Sequence, residues 1–256
     1  MSSLRLTVHQ FRFAQKIFWR NPASVFFTVA LPLIFLVIFS GIFGDDDLEE
    51  LGGIATTTYY IPAILTLAVV GATAVSVAIS LVADRESGRL KRGRSTPLPS
   101  WVFFAGRIGN GVVVSLMMLV VITALGAVAY GVEIPWERTP AILVTLAIGA
   151  AAFSLLGIAV TAICPNEDAA PAVTNVVTLP LYFLSGVFIP ETEIPEGVLK
   201  IADIFPIRHF FEAFFSAFVG NGGAGFEPVH LLIVAAWGLA GLLLAVRFFR
   251  WTPRAS

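Results

Sequence analysis

Residues 59–83 read YYIPAILTLAVVGATAVSVAISLVA, and residues 84–107 read DRESGRLKRGRSTPLPSWVFFAGR. The first stretch contains no Asp, Glu, Lys or Arg, whereas the second carries six basic residues. A hydrocarbon core about 30 Å thick needs about 20 apolar residues per helix, so 59–83 is expected to cross a bilayer and 84–107 to lie outside it. Composition carries the same reading to the whole chain. It is 57% hydrophobic and only 13% charged, against about 25% charged in soluble domains, and the mean hydropathy is +0.87.

Working outward, five more charge-free runs are long enough to span: Ala23–Phe43, Ile108–Val132, Pro140–Cys164, Ala169–Pro190 and Val229–Val246. The expected fold is therefore an all-α integral membrane protein with six transmembrane helices in a single transmembrane domain covering 1–256. Six crossings put both termini on one side, together with the connections 84–107 and 165–168. That side holds Arg5, Arg12, Lys16, Arg20, Arg85, Arg89, Lys91, Arg92, Arg94, Arg107, Arg247, Arg250 and Arg254, leaving only Arg138, Lys200 and Arg208 opposite. By the positive-inside rule the termini face the cytoplasm of a multi-pass cell (plasma) membrane protein. The first apolar run has no small-residue cleavage site after it and is expected to stay as an anchor.

Residues 197–220, GVLKIADIFPIRHFFEAFFSAFVG, are apolar enough to suggest a seventh crossing. Lys200, Asp203, Arg208 and Glu212 argue against it, because each charge costs about 2.5–3.5 kcal/mol near the centre of an inserted helix. Pro206 would also break the helix at mid-depth. The segment reads instead as two external re-entrant helices, about Val198–Ile204 and Ile207–Val219, between spans five and six. Residues 4–20 form an N-terminal amphipathic interfacial helix. At 100° per residue Arg5, His9, Arg12, Lys16 and Arg20 share one sector, and Leu4, Leu6, Phe11, Phe13, Ala14, Ile17 and Phe18 fill the opposite arc. Such a helix lies on membrane lipid with its aromatic side in the acyl boundary. A simple anchor and a mechanical role both remain open.

Catalytic constellations are missing from the sequence: no G-x-x-x-x-G-K-[ST], no H-E-x-x-H and no G-x-S-x-G. Cys164 is the single cysteine, which excludes an intrachain disulfide and a thiolate metal cage. His9, His209 and His230 are placed far apart by the topology, so no shared metal site is expected. The external run Asp45, Asp46, Asp47, Glu49 and Glu50 reads as a cation attractor or as a solvated loop. A near-neutral charge of −1 gives no basis for nucleic-acid binding. The spans lack the buried carboxylates, Lys or Arg used by ion-coupled transporters.

Two segments carry a functional reading. In 84–107, a helix-compatible stretch from Asp84 to about Arg92 is stopped by Pro97 and Pro99; it is a docking surface for a soluble partner or a loop that only fixes topology. In span five, Pro180 removes a helix hydrogen bond and Ser185 and Gly186 permit close packing. Thr174, Asn175 and Thr178 place polar groups there, for interhelical packing or for a substrate path.

With these residues in view, the chain resembles an integral-membrane permease subunit of the ABC type-2 exporter family. The resemblance rests on the amphipathic helix before span one and on Glu86, Ser87, Gly88, Arg89, Leu90, Lys91 and Arg92 followed by Thr96 and Pro97. It continues with Leu184, Ser185, Gly186 and Pro190, then Pro195, Leu199, Pro206, His209, Glu212 and Ala213. It implies a dimer with a second permease copy, identical or related, seated on two ABC ATP-binding subunits that hold the ATP and Mg. Residues 84–96 would be the cytoplasmic coupling helix, with Glu86, Gly88, Arg89, Lys91 and Arg92 toward the ATPase. Residues 4–20, with Arg5, Arg12, Lys16 and Arg20, would be the connecting helix.

The resemblance also implies that spans one, two and five line the dimer interface and that the external helices cap the exit. On that basis the chain would not itself be an enzyme. It would move a hydrophobic or amphiphilic substrate out of the cell by alternating access, the alternative being a self-contained secondary transporter or channel. Family cargoes include polyketide antibiotics, sodium and polysaccharide-linked lipids. One departure stands out: many relatives carry an Arg shortly after the Glu-Ala pair, where this chain has Phe214, Phe215 and Ser216. An aromatic outer gate at Phe211 and Phe215, as an apolar plug or a lipid contact, is the expectation in its place.

Overall fold

The computed structural model describes residues 3–43, 47–48, 53–95, 99–190, 193–220 and 224–252. Most of the external acidic run, the Thr96 and Pro97 of the loop pattern and Arg254 lie outside the described residues. Among those described, helices account for all regular structure except one two-residue antiparallel ladder, β1 (Asp47–Leu48) with β2 (Ile54–Ala55).

Helix α1 is Ser3–Trp19. At its end Asn21 accepts a hydrogen bond from the Ser24 amide at 3.2 Å, and Pro22 supplies a preset first turn, the arrangement that favours helix initiation. Helix α2 follows as Pro22–Val25, a π-helical stretch Phe26–Ala30 and Leu31–Phe43. Helix α3 is built alike, as Thr56–Val70, a π-helical stretch Gly71–Val75 and Ser76–Glu86. The two π-helical stretches touch each other. The remaining α-helices are α4 (Arg89–Arg94), α5 (Ser100–Tyr130), α6 (Thr139–Val160, preceded by a 3-10 turn at Trp136–Arg138), α7 (Ala170–Leu184), α8 (Glu196–Ala202), α9 (Pro206–Val219) and α10 (Pro228–Phe248).

Among the described residues five helices are long and apolar enough to cross a membrane: Pro22–Ile42, Thr56–Glu86, Ser100–Tyr130, Trp136–Val160 and Pro228–Phe248. The run expected as span five, 169–190, is helical only over the 15 residues of α7, about 22 Å at 1.5 Å per residue. It stops because Ser185 leaves helical geometry and Gly186 turns left-handed at φ +83°, a conformation that costs other residues about 1–2 kcal/mol.

Span three also differs from its expected bounds. Its helix begins at Ser100, well before Ile108, and α3 runs past Ala83 to Glu86. A criterion that forbids charge trims both ends, yet the charges there, Asp84, Arg85 and Arg107, are all buried.

Helix α3 is the axis of the bundle. Every residue of Thr56–Val70 except Thr58 is buried, packed by α2, α5, α6 and α9. The first half of span two is thus largely covered by its own chain, and large apolar side chains are exposed on α2 (Phe27, Val37, Ile42) and α7 (Val176, Leu179, Phe183). Helices α6 and α10 approach closely because small residues face each other. A Cβ on Gly238 would lie 2.8 Å from Ala152, and one on Gly241 would lie 2.9 Å from Leu156. Small-residue interfaces of this kind let membrane helices gain dispersion contacts that lipid does not offer.

Helix α1 does not simply lie on the surface. Its Gln10 is matched to Gly106, where an added Cβ would meet Gln10 at 2.7 Å, and Phe18 packs with Val114. The equal spacing, Gln10 to Phe18 against Gly106 to Val114, sets α1 parallel to the first half of α5. The apolar arc therefore divides: Ala14 and Phe18 are buried, while Leu4 and Phe13 stay exposed.

Helices α8 and α9 have 7 and 14 residues, neither reaching the roughly 20 of a span. The Trp237 indole of α10 donates to the Ile204 carbonyl at 2.9 Å, pinning the corner between them. Arg208 pairs with Asp203 at 2.7 Å and with Glu212 at 3.7 Å, so three of the four charges that argue against a crossing are engaged with one another, one cation between two carboxylates.

Candidate functional site

Contacts gather the α1–α5 seam, the end of α3, α4, the α6–α7 turn and the segment after α10 at one end of the bundle. This basic end is the candidate coupling face. It is organised by the last turn of α3. Ser87 terminates that helix, its hydroxyl donating to the Ala83 carbonyl at 2.8 Å, and Gly88 turns the chain at φ +69°. The single helix expected from Asp84 to about Arg92 is therefore two pieces. Asp84, Arg85 and Glu86 belong to the span, and only α4 projects.

Two buried charges hold this corner. Asp84 is shared between Arg107, which donates to it from Nη2, and Arg89, whose Nε lies 2.6 Å away. Arg107 also donates to the Ser80 hydroxyl at 2.9 Å, and its guanidinium carbon sits 5.4 Å from the Phe103 ring centroid. Arg85 points the other way. It donates to the carbonyls of Thr161 (3.1 Å), Cys164 (2.8 Å) and Pro165 (3.2 Å), and through Nε to Glu86 at 2.9 Å. Those carbonyls cluster where α6 ends, and a cation there satisfies acceptors the helix leaves open and complements its dipole. Asp84 ties the corner to α5, and Arg85 ties it to the α6–α7 turn.

The sequence-predicted residues divide accordingly. Glu86 pairs with its neighbour, Gly88 makes the turn, and Arg89 is half exposed beside Asp84. Lys91 and Arg92 are exposed, while Leu90 is buried with Val77, Leu81 and Ile158 and anchors α4. Arg5, Arg12 and Lys16 on α1, and Arg20 just after it, are all exposed. Asp84, Arg85 and Arg107 were not singled out by sequence. The signal available was charge adjoining two apolar runs, which by itself does not distinguish a buried pair from a solvated loop.

The set expected in span five does not form one site. Thr178 turns inward and donates to the Thr174 carbonyl at 2.9 Å. Ser185 is buried and donates to the Tyr182 carbonyl at 3.2 Å. Asn175 and Pro180 lie on the exposed face of α7. Gly186 belongs with the expected gate: the Tyr59 hydroxyl donates to its carbonyl at 2.5 Å. Phe211 and Phe215 both meet the Tyr59 ring, at 5.6 and 5.5 Å between centroids. Tyr59 is thus the hub that the sequence reading missed.

The histidines are corrected as well. His209 and His230 are neighbours, their Nδ1 atoms 2.9 Å apart, because α9 packs against the start of α10. His209 Nε2 lies 2.8 Å from the Asp203 carbonyl, which can only accept. His209 therefore carries a proton on Nε2, and with both rings neutral His230 is the one that donates from Nδ1. Among the described residues no three His, Cys, Asp or Glu side chains gather as a metal site would need.

The family model described as ABC-2 type transporter matches residues 9–219. The chain is similar to the probable multidrug ABC transporter permease YbhR of Escherichia coli, with 24% identity over 153 residues. That match takes in 59% of this chain and 41% of YbhR, so it represents less than half of that relative. Similarity to the inner membrane transport permease YadH of Escherichia coli is 24% over 221 residues, 83% of this chain and 86% of YadH. The daunorubicin resistance ABC transporter permease protein DrrB1 of Streptomyces coeruleorubidus is 26% identical over 243 residues, 93% of this chain and 83% of that protein.

Proposed function

The chain belongs to the ABC-2 type transporter family, and from that premise we propose that it is the membrane permease subunit of an ATP-driven exporter. In this reading the bundle crosses the plasma membrane six times, α7 and residues 185–190 together making the fifth crossing, with both termini in the cytoplasm. Two copies of an ATP-binding subunit hold the ATP and Mg and hydrolyse it, so this chain supplies no catalytic group. A second permease copy completes the transporter. The exposed apolar faces of α2 and α7 support their use as the surface it covers.

The observation that carries the reading is the corner at Gly88. Helix α4 projects there with Lys91 and Arg92 exposed, while Asp84 and Arg85 bind its base to α5 and the α6–α7 turn. A push on α4 is thereby passed to several spans at once, as transport driven by contact with a partner requires. Arg5, Arg12 and Lys16 on α1, with Arg20 just after it, would extend the same basic surface. A hydrophobic or amphiphilic cargo is supported by the names of two relatives, one a multidrug and one a daunorubicin resistance permease. Tyr59, Phe211 and Phe215 would close the opposite end.

The test is reconstitution with a co-expressed ATP-binding subunit. Lys91→Glu with Arg92→Glu is expected to abolish co-purification of the ATPase and ATP-dependent efflux while the permease still folds. Flux driven by a proton gradient in vesicles holding this chain alone would instead establish the secondary-transporter alternative.

A further inference from the structure

Beside the coupling corner lies a cavity of about 400 Å³ between α1, α4, the start of α5 and the segment after α10. Its volume falls in the range of about 300–1,000 Å³ usual for small-molecule sites, and it is too small for a whole two-chain lipid. Three guanidiniums line it, those of Arg89, Arg92 and Arg107, against the one carboxylate of Asp84. The formal charge is therefore three minus one, or +2. Because Asp84 is already shared by Arg89 and Arg107, the excess positive charge is not neutralised within the lining.

The other walls are aromatic. Phe103 and Trp251 lie 6.1 Å apart between ring centroids, and Phe13 from α1 stands at the cavity with half its surface exposed. Ser100, the first residue of α5, also lines the cavity. No side chain caps the start of that helix, so its positive dipole end adds to the field. Cations beside apolar rings, at the level where the apolar helices end, match an amphiphile whose head is an anion.

We propose that this cavity holds the phosphate headgroup of an anionic phospholipid, its acyl chains leaving past Phe13 into the bilayer. Charge complementarity selects an anionic over a zwitterionic lipid, and basic pockets between helices at this depth are suited to such headgroups. The inference needs only that the bundle sits in a membrane and does not depend on the exporter reading. It also gives the coupling corner a second occupant. A headgroup seated under α4 would neutralise Arg89 and Arg92 from the membrane side and leave Lys91 outward.

The test is native mass spectrometry of the full-length chain, delipidated and then offered phosphatidylglycerol or phosphatidylcholine in equal amounts. Wild type is expected to retain one phosphatidylglycerol in preference, the preference falling about fivefold for each guanidinium removed in Arg92→Gln and in Arg89→Gln with Arg92→Gln. Lys200→Gln, which removes one charge from the opposite end, keeps the preference. Arg92 is exposed, so its single variant remains interpretable if the double one misfolds. Equal retention of both lipids by wild type, or a preference that is undiminished in Arg92→Gln, overturns the proposal. Displacement of the lipid by glycerol phosphate at equal concentration would mean a soluble phosphate ligand, and likewise overturns it.

Discussion

Arg85, two per cent exposed on α3, donates to the main-chain carbonyl of Cys164 at 2.8 Å across 79 residues of sequence. One guanidinium also serves Thr161 and Pro165, so the α6–α7 turn is held by a side chain from another helix. The planar fork of five donors suits this task; an ammonium is not equivalent.

Replacing Arg85 by Ala should leave those carbonyls without their donor, at a cost of about 1.5–3 kcal/mol for the charged hydrogen bonds lost. Cys164 is the only cysteine and is fully buried, so it reports directly on the turn. Maleimide labelling is expected to be slow in wild type and much faster in Arg85→Ala. Arg85→Lys should fall between the two. Equally slow labelling in all three would show that the turn stands without this contact.

Asp84→Asn is expected to be far more damaging than Arg89→Gln. The first leaves Arg107 buried without its counter-charge, which costs about 3–5 kcal/mol. The second removes a half-exposed partner, worth at most about 1 kcal/mol. Thermal unfolding in detergent should rank them in that order. Adding Arg107→Met to Asp84→Asn should recover part of the loss, since the two side chains act as a unit.

Glycine substitutions in the spans should separate by what a methyl group meets. A Cβ on Gly149 would collide with the Phe210 ring, which Phe153 and Phe214 confine at 5.2 and 4.8 Å between centroids. Gly149→Ala is expected to destabilise by about 1–3 kcal/mol through overpacking, despite a helix-propensity gain of up to about 1 kcal/mol. Around Gly41 nothing lies within 4 Å, so Gly41→Ala should keep that gain. Melting temperatures in detergent should move in opposite directions.

Tyr59→Phe should cost about 1 kcal/mol by removing the buried donor to Gly186. Gly186→Ala should cost more, because the residue sits at φ +83° and a Cβ there would approach Phe211 to 2.9 Å. If the aromatic cluster gates the opposite end, both variants should leak a hydrophobic dye from vesicles without ATP. Intact dye retention in both would leave Tyr59 a packing residue only.

The sequence by itself determined the class of fold, the apolar runs and the segregation of basic residues, because hydrocarbon imposes length and charge constraints that are local and can be read one segment at a time. The corner at Gly88 was partly legible as a charged stretch after span two, which holds Glu86, Gly88, Arg89, Lys91 and Arg92. Only the tertiary structure decided where α3 ends and α5 begins. A charge counts as a cost until its partner is known, and the partners of Asp84 and Arg85 lie 23 and 76–80 residues away. The same holds for His209 with His230, for Tyr59 with Phe211 and Phe215, and for α1 against α5. In each case the residue types were visible along the chain. Their pairing was not, because it depends on which helices pack together.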